Sequence, residues 1–166
     1  MNDVLLEMTS VGKRYGIRNT KKALEEFSVT LQEGMCLALI GRNGAGKSTA
    51  LKIMANVLKP TEGRVVVHGR VSYVPENSKV LASRLSKGMR RKLSVAVAMA
   101  QNPDVVIFDE PFDGVDQTSS EEIVAMIRDM KKHNKAVVLS SHNISYIDSI
   151  ADEVIVIDSG RIVRRI

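Results

Sequence analysis

Apolar residues form two kinds of run along the chain, and each kind predicts a different sort of β-strand. Residues 36–40, 105–108, 137–139 and 154–157 are continuous apolar runs. Such runs are typical of strands that are buried on both faces, as in a parallel sheet covered by helices. Residues 27–31 instead alternate between apolar and polar side chains, which predicts a half-exposed strand.

The other predicted strands lie in the first part of the chain and at its end. Residues 4–15 favour a strand followed by a turn, and residues 65–67 and 71–74 favour short strands on either side of a second turn. Residues 161–166 favour a last strand. The N-terminal third is therefore expected to contribute an antiparallel β portion.

Apolar side chains at helical spacing predict helices between these strands. The helix that ends near Lys132 is expected to begin with a capping box formed by Thr118 and Glu121. Strands that alternate with helices predict the α/β class, here with a mostly parallel sheet flanked by helices. Residues 1–166 are expected to form one domain. The predicted helices span residues 50–58, 86–101, 119–132 and 144–150.

Composition is that of an ordinary globular protein, with 44% hydrophobic and 26% charged residues in a chain of 166. No apolar run approaches the roughly 20 residues that a membrane-spanning helix needs. The start, Met1-Asn2-Asp3, lacks the basic and apolar regions of a signal peptide. Cys36 is the single cysteine, so no internal disulfide can form and a reducing, cytoplasmic location is expected.

The formal net charge of +5 permits attraction to nucleic acid or to anionic lipid. The basic clusters at residues 90–92, 131–132 and 164–165 are small, and none is interleaved with aromatic residues as a base-stacking surface would be. Solvated helix faces are the favoured interpretation of these clusters. Nucleic acid is therefore the less favoured partner.

A glycine-rich loop lies between the strand at 36–40 and the helix at 50–58. A G-x-x-x-x-G-K-[ST] loop in this setting predicts a phosphate-binding loop. Its glycines let main-chain N–H groups turn toward phosphate oxygens, Lys47 adds positive charge at the β- and γ-phosphates, and the Ser48 hydroxyl is a Mg²⁺ ligand. A glycine-rich turn with an incidental lysine is the alternative. The predicted nucleotide-binding residues are Gly41, Arg42, Asn43, Gly44, Ala45, Gly46, Lys47, Ser48 and Thr49.

Asp109 and Glu110 follow the buried strand at 105–108, at the carboxyl end where open α/β sheets bind their ligands. Phosphoryl transfer to water needs a metal held against the phosphates and a group that orients or deprotonates the water. Asp109 suits the first role, as a Mg²⁺ ligand directly or through water, and Glu110 suits the second. Two acids that merely end a strand are the structural alternative.

In motif order and context, nearly the whole chain resembles the ATP-binding cassette (ABC) family of ATPases. Residues 41–49 are similar to the Walker A motif, and residues 105–109 to Walker B, with Glu110 directly after it. Residues 85–89 (Leu-Ser-Lys-Gly-Met) resemble the signature motif at the head of a helix, and residues 140–143 (Ser-Ser-His-Asn) resemble the switch-histidine loop. The resemblance implies a P-loop NTPase fold that binds ATP and Mg²⁺.

The resemblance also implies roles for individual residues. Domains of this family pair head to tail, so each ATP lies between the Walker A motif of one chain and the signature motif of the other. In such a homodimer Ser86 and Gly88 would contact the γ-phosphate bound by the partner chain. Glu110 would be the general base, and His142 would contact the γ-phosphate and position the water. Tyr15 stands where the family places an aromatic residue that stacks on adenine.

Several residues depart from the family pattern. Lys87 replaces a glycine of the common signature, and Met89 replaces a glutamine. Asp113 stands where the D-loop, which Asp116 closes, usually has serine. Glu76 replaces the glutamine of the Q-loop. Its carboxylate is still an expected Mg²⁺ ligand, although it adds negative charge beside the phosphates.

The largest departure is a gap. The family normally has a subdomain of several helices between the Q-loop and the signature motif, whereas only residues 77–84 lie between them here. This short link allows a loop or a couple of helical turns. In ABC transporters the missing subdomain helps to form the groove that receives the membrane partner. The chain is thus expected to retain the hydrolytic parts and to lack most of the docking surface.

The resemblance implies the ATP-binding subunit of an ABC transporter, which hydrolyses MgATP at the dimer interface and energises a separate transmembrane subunit. Such a subunit is cytoplasmic and peripheral to the inner face of the membrane when bound to its partner. Two alternatives stay open: a soluble ABC ATPase that acts on nucleic acid or protein complexes, and a nucleotide-binding regulatory subunit that does not hydrolyse ATP. A small P-loop kinase is least favoured, because it would not need the motifs at 85–89 and 140–143.

Overall fold

The computed structural model describes residues 3–16, 20–77, 85–142 and 144–166. Most of the short link at 77–84 and residue 143 of the switch-histidine loop lie outside the described residues. The elements, in chain order, are β1 (Val4–Tyr15), β2 (Lys21–Gln32), β3 (Cys36–Ile40), α1 (Lys47–Met54), β4 (Glu62–Val67), β5 (Val71–Val74), α2 (Lys87–Ala100), β6 (Val105–Phe108), α3 (Gln117–Lys132), β7 (Ala136–Ser141), a 3₁₀ turn (Ile147–Ser149), β8 (Glu153–Asp158) and β9 (Arg161–Arg165).

The described strands form two sheets. The larger has the order β5-β6-β7-β3-β8-β9, in which the pairs from β5 to β8 are parallel and only β8–β9 is antiparallel. The smaller is antiparallel, with the order β2-β1-β4. The parallel sheet was expected from the continuous apolar runs. An antiparallel portion from the N-terminal third was also expected, although not as a separate sheet.

The large sheet separates two apolar clusters because successive side chains of a strand point to opposite faces. On β3, Leu37 and Leu39 pack in the cluster that also contains residues of α1, β1 and β2. Cys36 and Ala38 pack in the other cluster, with residues of α2 and α3. The small sheet and α1 therefore cover one face, and α2 and α3 cover the other. These layers leave the carboxyl ends of the parallel strands open at one edge.

The first helix lies closer to the N-terminus than the predicted span 50–58. It begins at Lys47, because Gly46 (φ 112°) turns the chain directly from the glycine loop into the helix. It stops after Met54 because Asn56 adopts a left-handed conformation, with φ 56°. The helix therefore starts inside the phosphate-loop motif, where its N-terminal N–H groups can serve an anion.

The predicted capping box of the third helix is wrong. The N-cap is Asp116, whose carboxylate accepts a hydrogen bond from the main-chain N–H of Ser119 at 2.9 Å. This hydrogen bond also lowers the pKa of Asp116. Glu121 accepts from the side chain of Gln117 at 2.9 Å instead of reaching back to the helix end. Because an earlier acid caps the helix, Thr118 lies inside its first turn.

Other element boundaries also differ from the prediction. β2 covers Lys21–Gln32, so the alternation at 27–31 identified only its second half. The two short strands on either side of the turn after residue 67 join different sheets, β4 the small one and β5 the large one. The predicted helix at 144–150 is wrong, since these residues form only a 3₁₀ turn at Ile147–Ser149. In the described part of the chain, no helix is long and apolar enough to cross a bilayer.

Candidate functional site

The glycine loop connects the carboxyl end of β3, a central strand of the large sheet, to α1. Close approach explains two of its glycines: a side chain at Gly41 would collide with the Ile157 carbonyl oxygen, and one at Gly46 would meet the Ala23 carbonyl oxygen at 2.5 Å. Within the loop, the Ala45 N–H donates to the carbonyl of residue 42 at 3.1 Å. The loop is thus held in a tight curl against neighbouring backbone.

Lys47 lies folded into this loop and is 5% exposed. Its Nζ donates to the carbonyl oxygens of Gly41 at 2.6 Å and Arg42 at 3.3 Å. The same Nζ lies 3.3 Å from Oε1 of Glu110. The ammonium therefore stands between the phosphate loop and the predicted base, where an incoming phosphate would compete with Glu110 for it.

Asp109, 3% exposed, is surrounded by hydroxyl groups. Its Oδ1 accepts hydrogen bonds from Ser48 Oγ at 3.1 Å and Ser140 Oγ at 2.7 Å. Its Oδ2 accepts from the Tyr73 hydroxyl at 3.1 Å. Burial and the negative charge of Asp109 raise the pKa of Tyr73, so this phenol stays a donor. The three donors fix the position of the carboxylate.

Glu110 has a left-handed main chain, with φ 48°, which is unusual for a residue other than glycine. Its N–H donates to Ser140 Oγ at 2.9 Å. Its Oε2 lies 3.0 Å from His142 Nδ1 and accepts from the His142 N–H at 3.2 Å. Lys47 and His142 therefore hold the two oxygens of one carboxylate, and Glu110 is only 8% exposed.

A cavity of about 580 Å³ opens in front of these groups. Its lining includes Tyr15, residues of the glycine loop, Glu110 and His142. The lining residues are Tyr15, Lys21, Lys22, Ala23, Asn43, Gly44, Gly46, Lys47, Ser48, Thr49, Glu76, Glu110, Asp113 and His142.

Some predicted site residues lie elsewhere. Gly41, Arg42 and Ala45 shape the loop but are not part of the cavity lining. Asp109 is not part of the lining either, and it contacts the cavity residue Ser48. Ser86 caps α2 by accepting a hydrogen bond from the N–H of residue 89 at 3.1 Å, and Gly88 packs against α3. Neither signature residue lines this cavity, so a single chain does not bring them to its own glycine loop.

The oxygen ligands at the cavity suit a Mg²⁺ ion whose remaining ligands come from the phosphates of a bound nucleotide. The described residues contain no cluster of three or more His, Cys, Asp or Glu side chains that could bind a metal alone. Ser48 Oγ and the Asp109 carboxylate are adjacent, and Glu76 lines the same cavity. Mg²⁺ is commonly bound by one or two carboxylates plus substrate phosphates, so this donor set fits it.

Several residues that line or support the site were not predicted from the sequence: Lys21, Lys22, Ala23, Tyr73, Arg91 and Ser140. Ser140 and Tyr73 contact Asp109, and Lys22 lines the cavity. Arg91 donates to the carbonyl of Glu110 at 3.0 Å. Ser140 belongs to the switch-histidine motif and Tyr73 to the segment that resembles the Q-loop, so both had a usable signal, whereas no motif marked Arg91 or Lys22.

The sequence profile of the family described as ABC transporter matches residues 24–82 and 73–113, which together exceed half of the chain. The chain belongs to the ABC transporter family. As an ABC protein it is a relative of ATP-binding subunits, and the resemblance stated from the motifs is confirmed.

Among curated proteins, this ABC chain is 30% identical to an uncharacterized ABC transporter ATP-binding protein of Methanocaldococcus jannaschii, with 86% of the chain and 71% of the relative covered. That alignment runs over 186 positions, more than the 166 residues of the chain, so the relative carries residues that this chain lacks. The ABC transporter ATP-binding protein NatA of Bacillus subtilis is 26% identical, with 97% of the chain and 89% of the relative covered.

Solved ATP-binding cassettes have the same fold. One is a dimer in a post-hydrolysis state bound to ADP and Pi, with a TM-score of 0.85, 19% identity and 98% of both chains covered. Another is a nucleotide-free cassette, with a TM-score of 0.86, 18% identity, and 98% of this chain and 91% of the other covered. The predicted P-loop NTPase architecture of the ABC chain is thereby confirmed.

Proposed function

We propose that this ABC chain binds MgATP in the cavity between Tyr15 and His142 and hydrolyses it with Glu110 as general base. The observation that carries the proposal is the shared carboxylate of Glu110, with Lys47 Nζ 3.3 Å from Oε1 and His142 Nδ1 3.0 Å from Oε2. The proposal is supported by the cavity, which extends from Tyr15 to this carboxylate. The family relatives named as ATP-binding proteins support it further.

A physical sequence of events follows from these contacts. Phosphate oxygens entering the glycine loop compete for the Lys47 ammonium, because an ammonium binds a polyphosphate at least as readily as a carboxylate. When Lys47 turns to the phosphates, Oε1 of Glu110 loses its partner and can accept a proton from water. His142 keeps Oε2 in place at the same time. The base is thus released only when nucleotide is bound.

Ser48, Asp109 and Glu76 would hold Mg²⁺ in this arrangement. When bound, the ion supplies positive charge that balances the phosphate oxygens. Asp109 is fixed for this task by its hydrogen bonds from Ser140 and Tyr73. Tyr15, which is 39% exposed and belongs to the cavity lining, would stack on the adenine.

The proposed active assembly is a head-to-tail homodimer. Ser86 and Gly88 lie outside the cavity of their own chain, so contact with a γ-phosphate requires a second chain. A relative with the same fold was solved as a dimer, which supports such pairing. The proposed physiological role is that of the ATP-binding subunit of a transporter, coupled to a separate transmembrane subunit.

Hydrolysis measured over a range of protein concentrations tests the proposal. The rate is expected to rise faster than linearly, because two chains complete each site. Glu110→Gln should keep ATP affinity, slow hydrolysis, and increase the dimer seen by light scattering in ATP. Glu122→Gln, which alters an exposed carboxylate on α3, is the matched control and should behave as wild type. ATP binding without turnover at any concentration would overturn the hydrolytic assignment in favour of a regulatory subunit.

A further inference from the structure

A buried arginine on α2 joins two segments of the site that are far apart in sequence. Arg91 is 5% exposed. Its Nη1 donates to the carbonyl of Pro75 at 2.9 Å, and its Nη2 donates to the carbonyls of Glu76 at 2.9 Å and Glu110 at 3.0 Å. One guanidinium therefore connects the Q-loop, the residue proposed as general base and the signature helix.

Burial of this charge is offset by its surroundings. Desolvation lowers the pKa of Arg91, and the negative charges of Glu76, Asp109, Asp113 and Glu110 oppose that shift. A guanidinium remains charged in proteins even when buried. The cation therefore also balances the additional negative charge that Glu76 brings to the Q-loop.

The Glu110 main chain needs external support because its φ of 48° is unfavourable for a side chain with a β-carbon. Such conformations persist where surrounding contacts determine them, and they cluster at functional sites. Both main-chain polar groups of Glu110 have partners: the N–H donates to Ser140 Oγ at 2.9 Å, and the carbonyl accepts from Arg91 at 3.0 Å and from the Asp113 N–H at 3.3 Å. Among the described residues, Arg91 is the one whose side chain donates to this carbonyl, and these contacts together orient the Glu110 side chain.

We infer that Arg91 is a positioning residue for ATP hydrolysis, which holds Glu110 in its left-handed conformation and fixes it relative to the Pro75-Glu76 segment. This inference rests on the proposed role of Glu110 as general base. Arg91 acts through the Glu110 carbonyl and does not line the nucleotide cavity. Its loss should therefore lower kcat and leave nucleotide affinity almost unchanged.

Arginine has the donor geometry for this position and lysine does not. The planar guanidinium uses Nη1 for Pro75 and Nη2 for Glu76 and Glu110, so its rigid fork reaches three carbonyls at once. A lysine carries one nitrogen on a flexible stem. Arg91→Lys therefore keeps the charge but loses the rigid two-nitrogen arrangement that contacts all three carbonyls.

Steady-state kinetics and ATP titration of Arg91→Lys make the first test. We expect kcat to fall by about 10- to 100-fold, since misplacement of a catalytic group by about 1 Å costs a factor on the order of 100. The Kd for ATP should change by less than about twofold. Lys92→Ala is the matched control, because Lys92 is the next residue on α2 and pairs with Glu122 of α3. It should keep both kcat and Kd.

A double-mutant cycle shows whether Arg91 acts through Glu110. In a Glu110→Gln background, Arg91→Lys should cause little further loss of kcat, because the base that it positions is already gone. An equal loss of kcat in both backgrounds, or a parallel loss of ATP affinity, would overturn the inference. Addition of guanidinium at millimolar concentration to Arg91→Ala should restore part of kcat, whereas methylammonium should not.

Amide hydrogen exchange separates this inference from the proposed function. In Arg91→Lys, exchange should accelerate at Glu76 and Glu110 relative to wild type and to Lys92→Ala. If the wild-type chain does not hydrolyse ATP, the proposed function fails, and the exchange result alone decides the role of Arg91. Unchanged amide exchange at both Glu76 and Glu110 would refute the positioning role of Arg91.

Discussion

The ion pair between Lys47 and Glu110 gives a prediction about the nucleotide-free protein. Lys47 Nζ lies 3.3 Å from Glu110 Oε1, and their side chains are 6% and 10% exposed. Lys47→Met keeps most of the side-chain volume but removes the charge. The variant leaves the buried Glu110 carboxylate with His142 as its remaining side-chain partner.

Loss of one partner from a buried ion pair destabilises a protein by about 3–5 kcal/mol, because the other charge stays desolvated. His142 still contacts Glu110, so we expect the lower end, about 3 kcal/mol. In a chain of this size each kcal/mol shifts Tm by about 2–4 °C, so Tm should fall by roughly 6–12 °C. Lys47→Met/Glu110→Gln removes both charges and should recover about 2 kcal/mol of that loss.

Urea denaturation followed by circular dichroism, without nucleotide, measures these free energies. The matched control is Lys92→Met, because Lys92 pairs with Glu122 at the surface, where their side chains are 28% and 47% exposed. This change should cost less than about 1 kcal/mol. If the effects of Lys47→Met and Glu110→Gln add to within about 0.5 kcal/mol, the two side chains are not coupled and the reasoning is refuted.

Three further predictions concern positions outside the cavity. Arg161 and Lys22 lower the pKa of Glu25 from 4.5 to about 2. Its ion pairs therefore stabilise the fold fully above pH 4.5, and this contribution is lost as the pH falls toward 2. The urea midpoints of wild type and Glu25→Gln should differ at neutral pH and converge at low pH. Burial raises the pKa of Cys36 to about 12, so a disulfide reagent should label it only in urea concentrations that unfold the chain, and labelling of the folded protein would contradict this. Gly88→Ala places a β-carbon against the Ser119 hydroxyl and should lower the free energy of unfolding by about 1–3 kcal/mol, which an unchanged urea midpoint would disprove.

Much of the fold was predictable from local patterns. The continuous apolar runs identified β3, β6 and β7, which are buried almost throughout, and β8, which is buried only at Ile155 and Ile157. A strand covered on both faces is mostly apolar, although β7 also buries Ser140 and Ser141. Element boundaries were less predictable, since several neighbouring residues could cap or end a helix and the local pattern does not decide which one does. Asp116 caps α3 in preference to Thr118, and Asn56 ends α1 before the apolar spacing does.

Within the candidate site, the sequence alone indicated Lys47, Ser48, Asp109 and Glu110, because each belongs to a motif whose spacing carries a chemical reason. The tertiary structure decided how they pair. Since β6 and β7 are neighbours with Phe108 opposite Leu139, the next residues on each strand meet, and Asp109 accepts from Ser140. No local pattern specifies that neighbour.

Arg91 shows most clearly the difference between what the sequence indicates and what the tertiary structure decides. In sequence it belongs to a short basic cluster, which is typical of a solvated helix face. In the fold it is buried, and it donates to carbonyls that precede it by 15 and 16 residues and follow it by 19. Sequence periodicity determines which face of a segment is apolar. The order of strands in the sheet determines which distant carbonyls surround a buried charge, and only the folded chain brings them together.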